Sequence, residues 1–269
     1  INILFRSFMH KYFWINDPDC LMIRRTDTNL TDDEIKLQIT IFGLSGGQIL
    51  ISDDMTKLTK NEINDAKLVI PPYNPNEYDP IIIDAFTSVL PSLYILETNE
   101  VIGKRYLIAI INWEDTLISK ELKISEMISN LSNDITFFIY DFWDNKFLGE
   151  FKIHDTIKIT RINPHACKLL NLIPVNGKVQ NSPILLSTNL HITQGCCEIK
   201  KYEYKNESNE LDIEIELIGS REGFLVVKLP KNKKIERYEF DYSIIDPANN
   251  IWKLFVKFKN RISLKIKII

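Results

Sequence analysis

The sequence lacks the features that would assign it to several large classes of protein. Four cysteines in 269 residues are too few for a disulfide scaffold. No apolar run approaches the roughly 18–20 residues of a membrane-spanning helix, and 9 glycines and 11 prolines exclude a collagen-like or low-complexity chain. A formal net charge of −3 argues against a broad basic surface. We therefore expect neither nucleic acid nor a membrane as a partner.

The cysteines also lack the spacing that common sulfur chemistry requires. No C-x-x-C occurs, which leaves a zinc site or a thioredoxin-like motif without support. The first residues show no basic segment followed by an apolar one, as a secretory signal would. We expect small packed thiols, no metal, no cofactor and a cytoplasmic location. Because the chain begins with Ile1 and not with Met, we also expect it to be a piece of a longer protein.

Residues 1–75 combine helix and strand signals. Residues 31–34 (TDDE) and 59–62 (TKNE) each have the pattern of a capping box, which predicts two helix starts. The apolar run 48–52 between these helices predicts a buried strand. This order favours a parallel α/β arrangement, and two parallel strands do not complete a domain. We therefore expect residues 1–75 on their own to be poorly ordered or to associate with a missing segment.

From about residue 90 the sequence changes to runs of strand length separated by turn residues. This spacing is typical of antiparallel β-sandwiches. The predicted strands are 105–112, 134–143, 156–162, 167–173, 211–219, 224–229, 238–244, 251–258 and 262–269, with a hairpin turn at 144–149 that Gly149 closes. The stretch 73–80, rich in Pro and Asn, predicts a boundary. The predicted domains are thus 1–75, 76–180 and 181–269.

The segment 13–20 (FWINDPDC) carries the residues best suited to chemistry. It places two carboxylates and a carboxamide beside a tryptophan, and these groups can bind sugar hydroxyls through several hydrogen bonds. At the carboxyl end of a buried strand, such residues would lie where α/β folds place their active sites. The same residue types form turns, so a plain turn is the competing interpretation.

The segment 14–24 (WINDPDCLMIR) resembles the seventh-strand segment, W-N-D-P-D, of the α-galactosidase (melibiase) superfamily, glycoside hydrolase families 27 and 36. Further similar segments follow in the family's order, among them NWED, DFWDNKFLG and NPHACKLL. The whole set lies at 14–24, 30–54, 57–72, 108–115, 140–149, 162–172 and 187–195. Residues 198–269 share only the β character.

The resemblance implies a fold and an activity. The fold class is α/β plus all-β: the last βα units of a (β/α)8 TIM barrel followed by antiparallel β-sandwich domains. The family's nucleophile lies in a Lys-x-Asp motif, which this sequence lacks, and its acid/base Asp is expected upstream as well. The chain would then be the C-terminal portion of a retaining α-galactosidase-like glycoside hydrolase acting on terminal α-galactosides. It would be incomplete and inactive alone, with the upstream N-terminal segment of the same enzyme as its partner.

Carried over residue by residue, the resemblance implies a sugar-binding wall and no catalytic residue in this chain. Asp19, Cys20 and Trp14 would contact substrate, and Asn16 and Asp17 would support them. The alternative to an enzyme fragment is a non-catalytic carbohydrate-binding or assembly module derived from the family.

Other polar and aromatic residues have less specific signals. Asp53 and Asp54 either border the pocket or cap the following loop, and we favour the loop. We expect His165 and His191 in turns or in the core. The tryptophans at 113, 143 and 252 are expected to fill the cores and not to form a sugar-stacking platform.

Overall fold

The computed structural model describes residues 1–73, 80–129, 131–132, 134–176, 181–236 and 240–269. The helices are α1 (Asn2–Phe5), α2 (Asp32–Ser45), α3 (Lys60–Lys67) and α4 (Ile124–Met127), with one 3-10 turn at Ser7–Met9. The strands are β1 (Cys20–Leu21), β2 (Leu50–Ile51), β3 (Ile81–Ile82), β4 (Leu93–Glu100), β5 (Gly103–Ile111), β6 (Ile118–Lys123), β7 (Thr136–Asp141), β8 (Lys146–Lys152), β9 (Thr156–Ile162), β10 (Cys167–Val175), β11 (Ile184–Thr188), β12 (Ile199–Lys205), β13 (Glu210–Lys228), β14 (Tyr242–Asp246) and β15 (Ile251–Lys267).

Two sequence predictions reach beyond the described residues. The boundary stretch 73–80 lies mostly outside them, as do the first two residues of the strand predicted at 238–244. The division into three domains therefore stays a prediction.

Both predicted capping boxes are present. In α2 the Thr31 side chain accepts the Glu34 N–H, and the Glu34 carboxylate accepts the Thr31 N–H at 2.7 Å. Thr59 and Glu62 repeat this arrangement at the start of α3. Each box satisfies N–H groups that have no partner inside the helix. The two helices therefore begin at the predicted residues.

The strands β1 and β2 confirm the predicted parallel pairing but not the predicted burial. Cys20 pairs with Leu50 and Leu21 with Ile51. Leu50 is 51% exposed and Ile51 half-buried, so the buried strand predicted at 48–52 is wrong. Within the described part of the chain, nothing covers the outer face of Leu50. One pair of two-residue strands does not show a TIM barrel, and that part of the fold class stays a prediction.

An antiparallel sheet of six strands forms the centre of the molecule, in the order β3-β4-β5-β10-β7-β8. Side chains alternate between its two faces. On β5, residues 107, 109 and 111 pack with α2 and α3, whereas residues 106, 108 and 110 pack with β6 and β9. Because both faces are covered, all seven residues 105–111 are buried. The predicted antiparallel β organisation is confirmed here.

The hairpin between β7 and β8 differs from its prediction. The turn occupies residues 142–145, and Gly149 lies inside β8 at φ 131°. It pairs with Ile139 at a register shift, while Tyr140 pairs with Phe147. Gly149 therefore accommodates a β-bulge and does not close the turn.

A second sheet has the order β11-β13-β15-β14, with β12 also paired to β13. Its two longest strands, β13 and β15, each combine two strands that were predicted separately. Gly219 and Asn260 have left-handed φ values of 80° and 67°. They lie at a register shift between Leu217 and Ser220, where the Gly219 N–H donates to the Asn260 side chain at 2.8 Å. The bulge bends both strands without reversing them.

The end of α3 is bound to β13 of this second sheet and to the segment that follows β11. Arg221 donates to the carbonyls of Lys67 and Ile70 at 2.8 and 2.7 Å. His191 is fully buried, and its Nε2 lies 3.0 Å from the Pro71 carbonyl. Because a carbonyl only accepts, Nε2 carries the proton, and Nδ1 accepts from Thr193. The neutral imidazole is therefore the form that fits this site.

We predict that His191 makes the fold sensitive to mild acid. Burial lowers the pKa of His191 from 6.5 to about 4. Between these values the unfolded chain binds a proton that the folded chain does not. The free energy of unfolding should then fall as the pH falls, by up to about 1.4 kcal/mol per pH unit from this group. Urea denaturation from pH 7 to pH 4 measures the slope.

The substitution His191→Gln should flatten that slope, whatever it does to absolute stability, and His154→Gln at an exposed position should not. Equal slopes for His191→Gln and the unmodified chain would contradict the assignment.

Candidate functional site

The segment 14–19 lines an open pocket of about 400 Å³, together with Asn2, Ile3 and Arg6. Sequence reasoning expected this segment at the carboxyl end of a strand, but it precedes the first residue of β1. Pro18 has no N–H to donate, and Asp19 adopts a left-handed φ of 67°, so the ladder begins only at Cys20. The pocket therefore lies at the amino end of β1.

Asn16 is the buried anchor of this segment. Its backbone N–H donates to Nδ1 of His10 at 2.9 Å, and its Oδ1 accepts from the Trp14 indole at 3.0 Å. Its carbonyl lies so close to Gly47 that a Cβ there would be 2.1 Å from the oxygen. Asn16 thus fixes the backbone and the indole without reaching solvent, which is the geometry of a supporting residue.

Asp17 and Asp19 form a turn and also leave carboxylates at the surface. Asp17 accepts the Asp19 N–H at 2.9 Å through Oδ1 and the Gln48 side chain at 2.7 Å through Oδ2. Among the described residues, the Asp19 carboxylate accepts only from the weak donor of the Cys20 thiol, at 3.2 Å. The hydrogen bond from the Asp19 N–H to Asp17 is that of an Asx turn, so the turn interpretation fits the backbone. The exposed Asp19 carboxylate is available to bind a hydroxyl.

Trp14 adds an aromatic surface to the pocket wall, and Cys20 follows the wall without lining the pocket. Trp14 is 48% exposed although its indole nitrogen is bound, so its ring is oriented and partly open. Cys20 is exposed and free. The five sequence-predicted residues are thus adjacent in space, and the wall combines hydrogen-bond acceptors with an aromatic surface, as sugar binding requires.

The neighbouring acids, Asp53 and Asp54, have different roles. Asp54 accepts the backbone N–H and the hydroxyl of Thr56, at 3.0 and 2.6 Å, which lowers the pKa of its carboxyl. Asp54 therefore caps the loop, which is the role that the sequence favoured. Asp53 is buried, accepts the Ile23 N–H at 2.7 Å and pairs with Arg24 at 2.8 Å. Asp53 therefore joins the residues after β2 to those after β1, a role that sequence reasoning missed.

The remaining candidates lie outside the pocket. His165 is in a turn at φ 52°, with Nε2 2.8 Å from Asp115. His191 is in the core, as expected. The three tryptophans each pack against a buried cluster, as expected, and their indole nitrogens donate to Pro91, Thr40 and Asn250 respectively. Trp143 also lines a surface cavity, apart from the Trp14–Asp19 pocket.

The buried cysteines are poor ligands and nucleophiles. Burial raises the pKa of Cys167 and of Cys196 to about 12, so both remain neutral thiols. All four cysteines are free. In the described ranges no three His, Cys, Asp or Glu side chains are grouped as metal ligands would be. None of the helices there has the length and apolar character needed to cross a membrane.

We predict that Asp53, and not Asp54, is needed for stability. The change Asp53→Ala leaves the buried Ile23 N–H and the Arg24 guanidinium without their acceptor, which should lower the free energy of unfolding by roughly 3 kcal/mol. Asp54→Ala removes only exposed loop contacts and should have a much smaller effect. Urea denaturation compares the two variants. Equal losses would show that Asp53 does not hold the two strand ends together.

Comparisons with known proteins give the following similarities. No family model matches the chain. Solved structures with similar folds include α-galactosidase I from Mortierella vinacea, at 16% identity and a TM-score of 0.41, over 56% of this chain and 38% of that one. The α-galactosidase from Saccharomyces cerevisiae gives 16% identity and a TM-score of 0.43 over 60% and 47%. A family 27 β-L-arabinopyranosidase from Geobacillus stearothermophilus gives 12% and 0.46 over 65% and 40%.

The chain thus spans less than half the length of these structures. Two of these three structures are α-galactosidases.

Proposed function

We propose that this chain is the C-terminal portion of a retaining α-galactosidase-like glycoside hydrolase that acts on terminal α-galactosides. The observation that carries the proposal is the exposed Asp19 carboxylate beside Trp14 on a pocket wall whose backbone is fixed from behind. A retaining enzyme needs two carboxylates about 5–5.5 Å apart. Because the sequence has no Lys-x-Asp, we propose that the nucleophile comes from outside these 269 residues.

The role proposed for Asp19 is to bind and orient a sugar hydroxyl. A hydrogen bond to a charged acceptor contributes about 1.5–3 kcal/mol. The Asp19 N–H already donates to the Asp17 carboxylate, and the next residue, Cys20, is paired in β1. These contacts hold the Asp19 backbone in place. Little additional ordering is then needed on binding, which favours affinity. Ile15 separates Trp14 from Asn16, whereas the family motif W-N-D-P-D has no residue at that place.

The partner proposed for residues 1–75 is the upstream segment of the same enzyme, with which they would form the last βα units of the barrel. Several large apolar side chains of this region are exposed to solvent. Phe8, Tyr12, Phe13, Ile15 and Leu50 are each 51–74% exposed. A short parallel sheet with free edges and an apolar patch of this kind is typical of an incomplete layer. The β regions 76–180 and 181–269 would be the domains that follow.

The substitution Asp19→Asn, in an enzyme that contains these residues together with the preceding polypeptide, tests the proposed role. Loss of the charged acceptor should raise KM for an aryl α-galactoside about tenfold or more, with a smaller change in kcat. Steady-state kinetics across pH measures both. Asp54→Asn, which changes an exposed loop carboxylate, is the matched control and should leave both constants unchanged.

Two results would contradict this role. Unchanged turnover and KM would remove Asp19 from the sugar site. A loss of kcat beyond about a thousandfold, together with loss of the basic limb of the pH profile, would show that Asp19 is itself the proton donor. In that case one catalytic carboxylate would belong to this chain.

A further inference from the structure

A second concave surface lies far from segment 14–19, between the outer side of α3 and the second sheet. It consists of two adjoining cavities of about 230 and 730 Å³ that share Asn64, Asn189 and Glu222. We call this surface the α3 groove. It has no lining residue in common with the Trp14–Asp19 pocket. Its volume is in the range of ligand sites in proteins.

Aromatic rings lie at the two ends of the α3 groove. Phe142 and Trp143 meet edge to face at one end, with ring centroids 4.9 Å apart. Phe224 and Phe255 form a similar pair at the other end, at 6.4 Å. The Lys253 ammonium covers a face of Phe224 at 3.9 Å, whereas Phe255 is 42% exposed. Phe255 is therefore the open ring at its end of the groove.

Most charged side chains of the groove are already paired with protein groups; among the described residues, the exposed carboxylate of Asp241 is the exception. Glu222 lies 3.6 Å from Lys60 and 3.5 Å from Lys257, so its charge is balanced from both sides. Arg221 donates to the carbonyls at the end of α3, and the Lys67 ammonium donates to the Ser220 carbonyl at 3.0 Å. A charged ligand would have to compete with the pairs made by Glu222, Arg221 and Lys67. The groove therefore favours a neutral ligand.

Amide groups lie between the aromatic ends. Asn61, Asn64 and Asn189 line the groove, and of their side-chain polar atoms only Oδ1 of Asn189 has a hydrogen-bond partner among the described residues. That atom accepts the Phe224 N–H at 2.6 Å. A Cβ at Gly223 would be 2.4 Å from it, so the glycine permits this close contact. The amide of Asn189 is thus held in place, with its donors still available.

We propose that the α3 groove binds a neutral oligosaccharide of two or three rings. Sugar rings have apolar faces that pack on aromatic side chains, and their hydroxyls match amide donors and acceptors. Aromatic groups at both ends with amides between them suit a chain of rings better than a single one. This inference rests on the chemistry of the groove and does not depend on the proposed activity.

The test uses the 269-residue chain with raffinose and maltotriose as separate probes, followed by saturation-transfer NMR and titration calorimetry. We expect saturable binding of at least one probe. Phe255→Ala and Asn64→Ala should each weaken it about tenfold. Phe86→Ala is the matched control, because it removes a fully exposed phenylalanine elsewhere and should change nothing.

The variant Asp19→Asn separates this proposal from the proposed activity. Binding that survives Asp19→Asn but not Phe255→Ala supports the α3 groove. Binding lost in Asp19→Asn and kept in Phe255→Ala would overturn the groove proposal, since the probe would then occupy the other pocket. The absence of saturable binding of either probe would also overturn it.

Discussion

The packing of α2 against one face of the six-stranded sheet is the contact on which the rest of the structure depends. Each of β1 and β2 has two residues, too few to build a core by themselves. The apolar side of α2 and the inner face of β4, β5 and β10 share one buried cluster. The helix ends at Ser45 with Gly46 as its C-cap, and the next residue, Gly47, lies against the Asn16 carbonyl. The candidate sugar-binding segment is therefore positioned through a helix that the sheet holds.

The second sheet is joined to the first through a shared apolar cluster and through polar contacts at α3. The cluster combines side chains of β7 and β10 with side chains of β11, β13 and β15. Arg221 and the buried His191 bind carbonyls at the end of α3 and just after it, and so add donors where the helix ladder stops. The α3 groove lies beside this junction. The same contacts that fix the sheet against α3 thus create the second candidate site.

Local signals predicted local structure well, and contacts between distant residues escaped prediction. The capping boxes at Thr31 and Thr59 and the strand predicted at 105–112 depend on neighbours in sequence, and the structure contains all three, with the strand at Gly103–Ile111. The continuity of β13 depends on a bulge opposite Asn260, and a single sequence cannot distinguish such a bulge from a turn. The pair between Asp53 and Arg24 spans 29 positions and has no local signature. The position of the 14–19 segment before β1 likewise depends on where pairing with β2 begins.

We propose that these residues contribute a sugar-binding wall to an enzyme whose nucleophile lies outside them. The decisive measurement is hydrolysis of a chromogenic α-galactoside by the purified chain, with and without the proposed upstream segment. We expect no turnover by the chain alone and turnover when both pieces are combined. Turnover by the chain alone would contradict the proposal, and the catalytic pair would then have to include Asp17 or Asp19. No turnover in either case would favour a non-catalytic carbohydrate-binding or assembly module.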